Sequence, residues 1–173
     1  MIKKIKLFVY NSILCRLRSR NSSASFVVKL RYLALKDIVG SAHHTVNIQK
    51  GVMIRTPKNL YLGERSGIGI NSYVFSDEKV IIGNDVMIGP EVMIFTANHN
   101  YKTKGNFNES GYQYKPVVIG NNVWIGARCI ILPGVNIKDN VIIAAGSILT
   151  SGVYESKYIY GGNPAKVIRE INE

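Results

Sequence analysis

Residues 117–153 read VVIGNNVWIGARCIILPGVNIKDNVIIAAGSILTSGV, and taken in sixes from Ile119 they divide into IGNNVW, IGARCI, ILPGVN, IKDNVI, IAAGSI and LTSGVY. The first position of each six is Ile or Leu, at 119, 125, 131, 137, 143 and 149. The fifth is small or β-branched: Val123, Cys129, Val135, Val141, Ser147 and Val153. A helix returns its apolar residues every 3.6 positions and a strand every 2, so neither explains the beat. Short strands joined by tight turns do. Self-similarity at a hexapeptide spacing predicts a parallel β-helix, whose stacked coils bury a continuous aliphatic row.

Upstream the same beat is less regular. Ile48 and Ile54 are six apart, as are Leu62, Ile68 and Val74, and then Ile82, Ile88 and Ile94. The steps from Ile54 to Leu62 and from Val74 to Ile82 are eight, so two residues must bulge outward at a corner. From Ile94 to Ile119 the step is 25, which sends nineteen residues beyond one six out of the solenoid as a loop. That loop carries His99, several amides, and the aromatic residues Tyr101, Phe107, Tyr112 and Tyr114. Inserted loops in a repeat array gather on one face, which is often the binding face. Aromatic rings and amides suit a carbohydrate, and equally suit fastening the loop to a neighbour.

The first 36 residues differ in character. They contain nine Lys and Arg and no Asp or Glu, out of a net charge of +11 for the chain. Ile2, Ile5, Val9, Ile13 and Leu17 recur at helical spacing, as do Phe26, Leu30, Leu33 and Ile38, with Asn21-Ser22-Ser23 between them. Two short amphipathic helices are expected. They would either cap the first coil with a solvated charged face or meet anionic lipid or an acidic lipid-linked glycan. At the other end, Gly161-Gly162-Asn163-Pro164 is turn chemistry, and Ala165 to Ile171 is expected to form a short capping helix. The organisation is therefore a basic helical segment over 1–40, a solenoid over 41–153 with the loop at about 97–117, and a cap over 154–173.

At 173 residues the chain suits one domain. No apolar run reaches the roughly 20 residues of a membrane-spanning helix. Cys15 and Cys129 are too far apart in the pattern to suggest a disulfide, which makes a reducing cytoplasm the expected compartment, with the inner membrane face as an option for the basic segment. The high pI of 9.7 would suit nucleic acid, but the basic residues lie in an amphipathic terminus without a nucleic-acid motif, so none is expected. Metal binding on adjacent coils would need histidines at repeat spacing. His43 and His44 precede the array and only His99 remains, so no metal is expected.

The segments VVIGNNVWIGARCIILPGV (117–135), AAGSILT (144–150), GNPAKVIREI (162–171) and TANHNY (96–101) resemble the hexapeptide-repeat acyltransferases, above all the galactoside, maltose and capsular-polysaccharide O-acetyltransferases. The resemblance is specific from about Val80 onward, weaker back to His44 and absent before it. It implies an all-β, left-handed parallel β-helix assembled as a homotrimer, with acetyl-CoA as acyl donor bound between subunits. It also implies that His99, just after the last hexapeptide before the loop, is the general base. The matching donor positions are Trp124, Gly126, Ala127, Ala145, Thr150, Lys166 and Arg169, with small residues letting the pantetheine arm approach and the cations facing phosphates. A backbone N–H near Gly126 and Ala127 would hold the oxyanion, and Asn71 is the candidate acceptor ligand. Lys166 stands where relatives often carry Arg, and the segment from Thr150 to Pro164 differs in length by about one residue from the galactoside enzymes. The implied activity is O-acetylation of a sugar hydroxyl, with a surface polysaccharide or its precursor favoured by the basic terminus. N-acetylation of an amino sugar or other small amine, and a non-catalytic scaffold, are the alternatives.

Overall fold

A computed structural model describes residues 2–18, 25–101 and 105–172; Asn21-Ser22-Ser23, expected to separate the helices, lies outside them. The sixes fold as coils of a parallel β-helix with three faces. The first face stacks Ser41–Ala42, Leu60–Leu62, Val80–Ile82, Val117–Ile119, Val135–Ile137 and Gly152–Tyr154 in parallel register. The second stacks Asn47–Ile48, Gly67–Ile68, Met87–Ile88, Trp124–Ile125, Ile142–Ile143 and Tyr158–Gly162. The third stacks Met53–Arg55, Tyr73–Phe75, Met93–Phe95, Ile130–Ile131 and Ile148–Leu149.

The first and fifth positions of the six lie two residues apart across each strand, so both point inward. Val123 with Ile125, Cys129 with Ile131, Val135 with Ile137 and Val141 with Ile143 are all buried. Each aliphatic side chain removed from water contributes about 1.5–3 kcal/mol, and every coil adds several to one continuous core. Where a Ser takes the inward place, its hydroxyl is satisfied between coils. Ser66 donates to the Gly83 carbonyl at 2.6 Å, and Ser147, which donates to the Ala144 carbonyl of its own corner, accepts from the Gly162 N–H of the next coil at 3.3 Å. Cys129 behaves as another filler. Burial pushes its thiol above the ordinary value, and both cysteines are free.

The beat fails at its last step. Val153 is 54% exposed, and Tyr154 is buried in its stead. The register pairs Gly152 with Val135, Val153 with Asn136 and Tyr154 with Ile137, so the corner after Leu149 is one residue shorter than that of a regular six. Tyr154 closes it by donating its hydroxyl to the Thr150 carbonyl at 3.1 Å and accepting from the Thr150 N–H at 3.0 Å.

The C-terminal helix expected over Ala165 to Ile171 is instead a strand, Ala165–Glu170, antiparallel to Tyr158–Gly162. The last coil leaves the second face with an open edge, and the Gly161-to-Pro164 turn folds the β-branched Val167 and Ile168 back along it. Pairing that edge satisfies backbone groups that a helix would leave unpartnered.

The N-terminal segment forms two α-helices, α1 (Ile2–Ser12) and α2 (Phe26–Leu35), with a 3₁₀ turn at Leu14–Arg16. They cap the first coil, but not through the periodic stripe that marks them in the sequence. The inward residues are Tyr10, Val28, Arg31 and Leu35, joined just past α2 by Ile38, the one buried member of the stripes, whereas Ile2, Ile5, Phe26 and Leu33 face outward. Arg31 is fully buried and donates to the carbonyls of Leu14 at 2.8 Å and Ile48 at 3.0 Å, tying turn, helix and coil together. Burial lowers its pKa from the ordinary value, an opposing effect that the carbonyls offset. Tyr10 is likewise buried and donates its hydroxyl to the Val52 carbonyl at 2.7 Å. Tyr10→Phe leaves that carbonyl unpaired and is expected to lower unfolding free energy by about 1.5 kcal/mol in urea titration.

Candidate active site

The excursion after Ile94 is a β-arm, not an irregular loop. Thr96, fully buried, anchors its base. Its N–H donates to the Phe75 carbonyl at 3.2 Å, its hydroxyl accepts from the Glu78 N–H at 2.9 Å, and its carbonyl accepts from the Lys115 N–H at 2.9 Å. From there Ala97–His99 pairs antiparallel with Tyr112–Tyr114, in the register Ala97 to Tyr114, Asn98 to Gln113 and His99 to Tyr112. The Asn100 N–H to Gly111 carbonyl bond at 3.0 Å and the Gln113 amide to Asn100 side-chain bond at 2.9 Å continue the arm. His99 is thus fixed at its backbone by the ladder and at its ring by Tyr112, with centroids 4.5 Å apart.

Between arm and coil lies a pocket of about 370 Å³ lined by Arg55, Phe75, Asp77, Phe95, Ala97, Asn98, His99, Tyr112 and Tyr114. Its coil-side wall is a ladder. Arg55, Phe75 and Phe95 are register partners on the third face, and the two phenylalanine rings stack at 5.2 Å. Asp77 is held at the next corner. Its carboxylate lies 3.2 Å from Arg55 Nε and accepts from the Thr56 hydroxyl at 3.2 Å, while its carbonyl accepts from the Asn59 amide at 2.9 Å. A fixed carboxylate, an imidazole and flat aromatic walls can bind and deprotonate a polyhydroxylated ring. Of the loop aromatics, Tyr112 and Tyr114 line the pocket, whereas Tyr101 and Phe107 are exposed elsewhere on the arm.

The remaining sequence candidates fall elsewhere on the rod. Gly126, Ala127 and Ala145 sit at the corner between the second and third faces, not at the third-to-first corner that carries His99. Ala127 and Ala145 line a shallow hollow there with Pro90, Glu91, Arg128 and Gly146. Gly126 is buried. A Cβ on it would meet the Ala145 backbone nitrogen at 2.5 Å, so coil stacking by itself requires the glycine. Its N–H is committed to the Ile143 carbonyl at 2.8 Å and cannot face an oxyanion. Trp124 is half-exposed on the second face between its register partners Met87 and Ile142. Lys166 and Arg169 are exposed on the added C-terminal strand, and exposed Thr150 lies at a third-to-first corner. Asn71 does not line the His99 pocket. It occupies a left-handed turn residue, φ 56°, at a second-to-third corner, with its N–H on the Lys50 carbonyl.

Strand steps of about 3.3 Å per residue put neighbouring corners roughly 15–20 Å apart, far beyond the 3–3.5 Å approach that reacting atoms need. Within one chain, then, the His99 pocket and the Ala127–Ala145 hollow are separate features at different corners.

Residues 116–151 match the family described as bacterial transferase hexapeptide (six repeats). The chain is 33% identical over 153 residues to the galactoside O-acetyltransferase of Escherichia coli K12, covering 88% of this chain and 74% of that enzyme. A maltose O-acetyltransferase from Clostridium difficile 630 superposes with a TM-score of 0.78 at 31% identity, over 98% of this chain and 88% of that one. A galactoside acetyltransferase in complex with coenzyme A superposes with a TM-score of 0.77 at 30% identity, over 98% and 79% respectively. The left-handed parallel β-helix implied by the resemblance is the fold of this chain. Likeness this extensive, reaching through the basic terminus where the motifs are absent, makes the chain a member of the hexapeptide-repeat acyltransferase family and an acyltransferase.

Proposed function

We propose that the protein transfers the acetyl group of acetyl-CoA to a sugar hydroxyl, with His99 as general base. The observation that carries this reading is the pocket where His99, Asp77 and the Phe75–Phe95 wall converge. O-transfer is favoured by the named activities of the galactoside and maltose relatives. The donor lies along the Ala127–Ala145 hollow, where small side chains admit the pantetheine arm, with Lys166 and Arg169 available to its phosphates. Since that hollow and His99 occupy different corners, the complete site forms between subunits of a trimer, one copy supplying the base and its neighbour the donor groove.

In the ternary complex, the His99 imidazole takes the acceptor hydroxyl proton as the oxygen bonds to the thioester carbonyl carbon. The carbon–sulfur bond then breaks, and the same proton passes from His99 to the departing sulfur. With the Gly126 N–H engaged between coils, the Ala127 N–H is the backbone donor for the oxyanion. Asp77 accepts hydrogen bonds from acceptor hydroxyls. The acceptor is a surface polysaccharide or its precursor, a reading supported by the basic terminus.

The test is CoA release across a panel of hydroxyl and amino acceptors; activity confined to amines overturns the O-transfer reading. Asp77→Asn keeps the shape and removes the charge. It is expected to raise KM for the acceptor about tenfold with kcat changed less than about threefold, as steady-state kinetics would record.

A further inference from the structure

The two N-terminal helices are apolar on both sides. Their inner faces pack on the first coil through Tyr10, Val28 and Leu35. Their outer faces carry a second stripe: Ile2 is 69% exposed, Ile5 54%, Phe8 68% and Phe26 73%, with Leu33 beside them at 48%. At 100° per residue, Ile2, Ile5 and Phe8 span one sector of α1, bordered by Lys4 on one side and Lys6 on the other. Phe26 and Leu33, seven apart, share a sector of α2, with Lys29 at its border. A helix cap needs only one apolar face, so the outer stripe calls for another occupant.

The charge identifies it. Lys4, Lys29 and Lys36 are exposed at the borders of the stripe, Arg16 and Arg18 are exposed just beyond α1, and residues 2–36 contain no acid. The neighbouring Asp37 is already held by Lys6, whose ammonium donates to its carboxylate and keeps it below the usual range. Symmetric docking of a second copy through this face would bring cations against cations. Nucleic acid would satisfy the charge but leave the isoleucines and phenylalanines in water. Apolar side chains ringed by Lys and Arg suit the boundary between anionic headgroups and acyl chains.

We propose that the outer face of α1 and α2 docks the protein on an anionic bilayer, burying Ile2, Ile5, Phe8 and Phe26 among the acyl chains while the lysines and arginines meet the headgroups. The inference is independent of the acyl-transfer reading, since the face lies apart from His99 and its test reads binding alone.

The full-length protein is to be sedimented with vesicles of phosphatidylcholine and with vesicles of phosphatidylcholine mixed with phosphatidylglycerol. Binding to the mixed vesicles is expected to exceed binding to the neutral ones by at least about tenfold, and to weaken as salt is raised. Ile5→Gln/Phe8→Gln should cut it about tenfold or more, and Lys4→Gln/Lys29→Gln about fivefold per lysine, with thermal midpoint and oligomeric state unchanged. Equal or absent binding to the two vesicles overturns the proposal. So does an Ile5→Gln/Phe8→Gln protein that keeps its lipid affinity or changes its oligomeric state, which would assign the stripe to a contact between copies.

Discussion

His99→Ala is expected to lower kcat for acetyl transfer by about 10³-fold while leaving acetyl-CoA affinity within about twofold. In the proposed mechanism the imidazole supplies two proton movements, one from the acceptor oxygen and one to the departing sulfur, and alanine supplies neither. Donor binding should be spared because the proposed donor contacts, the Ala127–Ala145 hollow with Lys166 and Arg169, do not include the imidazole. The fold is spared as well. His99 is exposed, and the arm is held by its backbone ladder and by buried Thr96, not by the imidazole. Single-turnover kinetics and calorimetry with acetyl-CoA separate these effects, and a variant that keeps a near-normal rate removes His99 from the mechanism.

What the sequence discloses here, and what it hides, follows from the geometry of a coil. Inward positions repeat every six residues because each face must bury the same kind of side chain, so the core from Ile48 to Leu149 is readable one strand at a time. The pocket is built from outward positions, whose period is a whole coil. Arg55, Phe75 and Phe95 are twenty residues apart, the sum of two sixes and one eight-residue step, and Asp77 to Ala97 repeats the same interval. That longer period was present in the sequence and would have set Asp77 beside the base of the arm. Asn71 belongs to a ladder of the same interval at another corner, between Gly51 and Glu91, and the left-handed φ shared by all three makes it a turn residue.

The terminal elements were harder to read for a different reason. Ala165 to Ile171 carries no strong helical or strand period, and its state is decided by the open edge of Tyr158–Gly162 beside it. In α1 and α2 the helical period is clear, but two apolar faces compete for the coil. The wider, more regular stripe stays outside because the inner contact also needs the Tyr10 hydroxyl and the Arg31 guanidinium to meet carbonyls of the turn and first coil. Periodicity shows that a face is apolar; hydrogen bonding decides here which one is turned inward.

Gly126 offers the sharpest separation of fold from function, because two reasons for its small size predict different measurements. If the glycine serves the pantetheine arm, Gly126→Ala should weaken acetyl-CoA binding and leave stability alone. The structure favours the other outcome. The added methyl would lie 2.5 Å from the Ala145 nitrogen and 2.8 Å from its Cα, against backbone that cannot swing aside as a side chain could. Coils stack at about 4.8 Å through their hydrogen bonds, and the Gly126 N–H to Ile143 carbonyl bond at 2.8 Å holds that spacing at the point of contact. Relief means stretching that bond and parting the buried Ile125 and Ile143, so unfolding free energy is expected to fall by about 3 kcal/mol in denaturant titration. Ala145→Val is the companion variant. Ala145 is exposed in the hollow, so valine there should cut acetyl-CoA affinity about tenfold while moving the denaturant midpoint little. Loss of stability in the first variant and of donor affinity in the second would put the fold's demand on Gly126 and the substrate's on Ala145. The reverse pairing would move the donor groove inward, onto a residue that the coil stack already encloses.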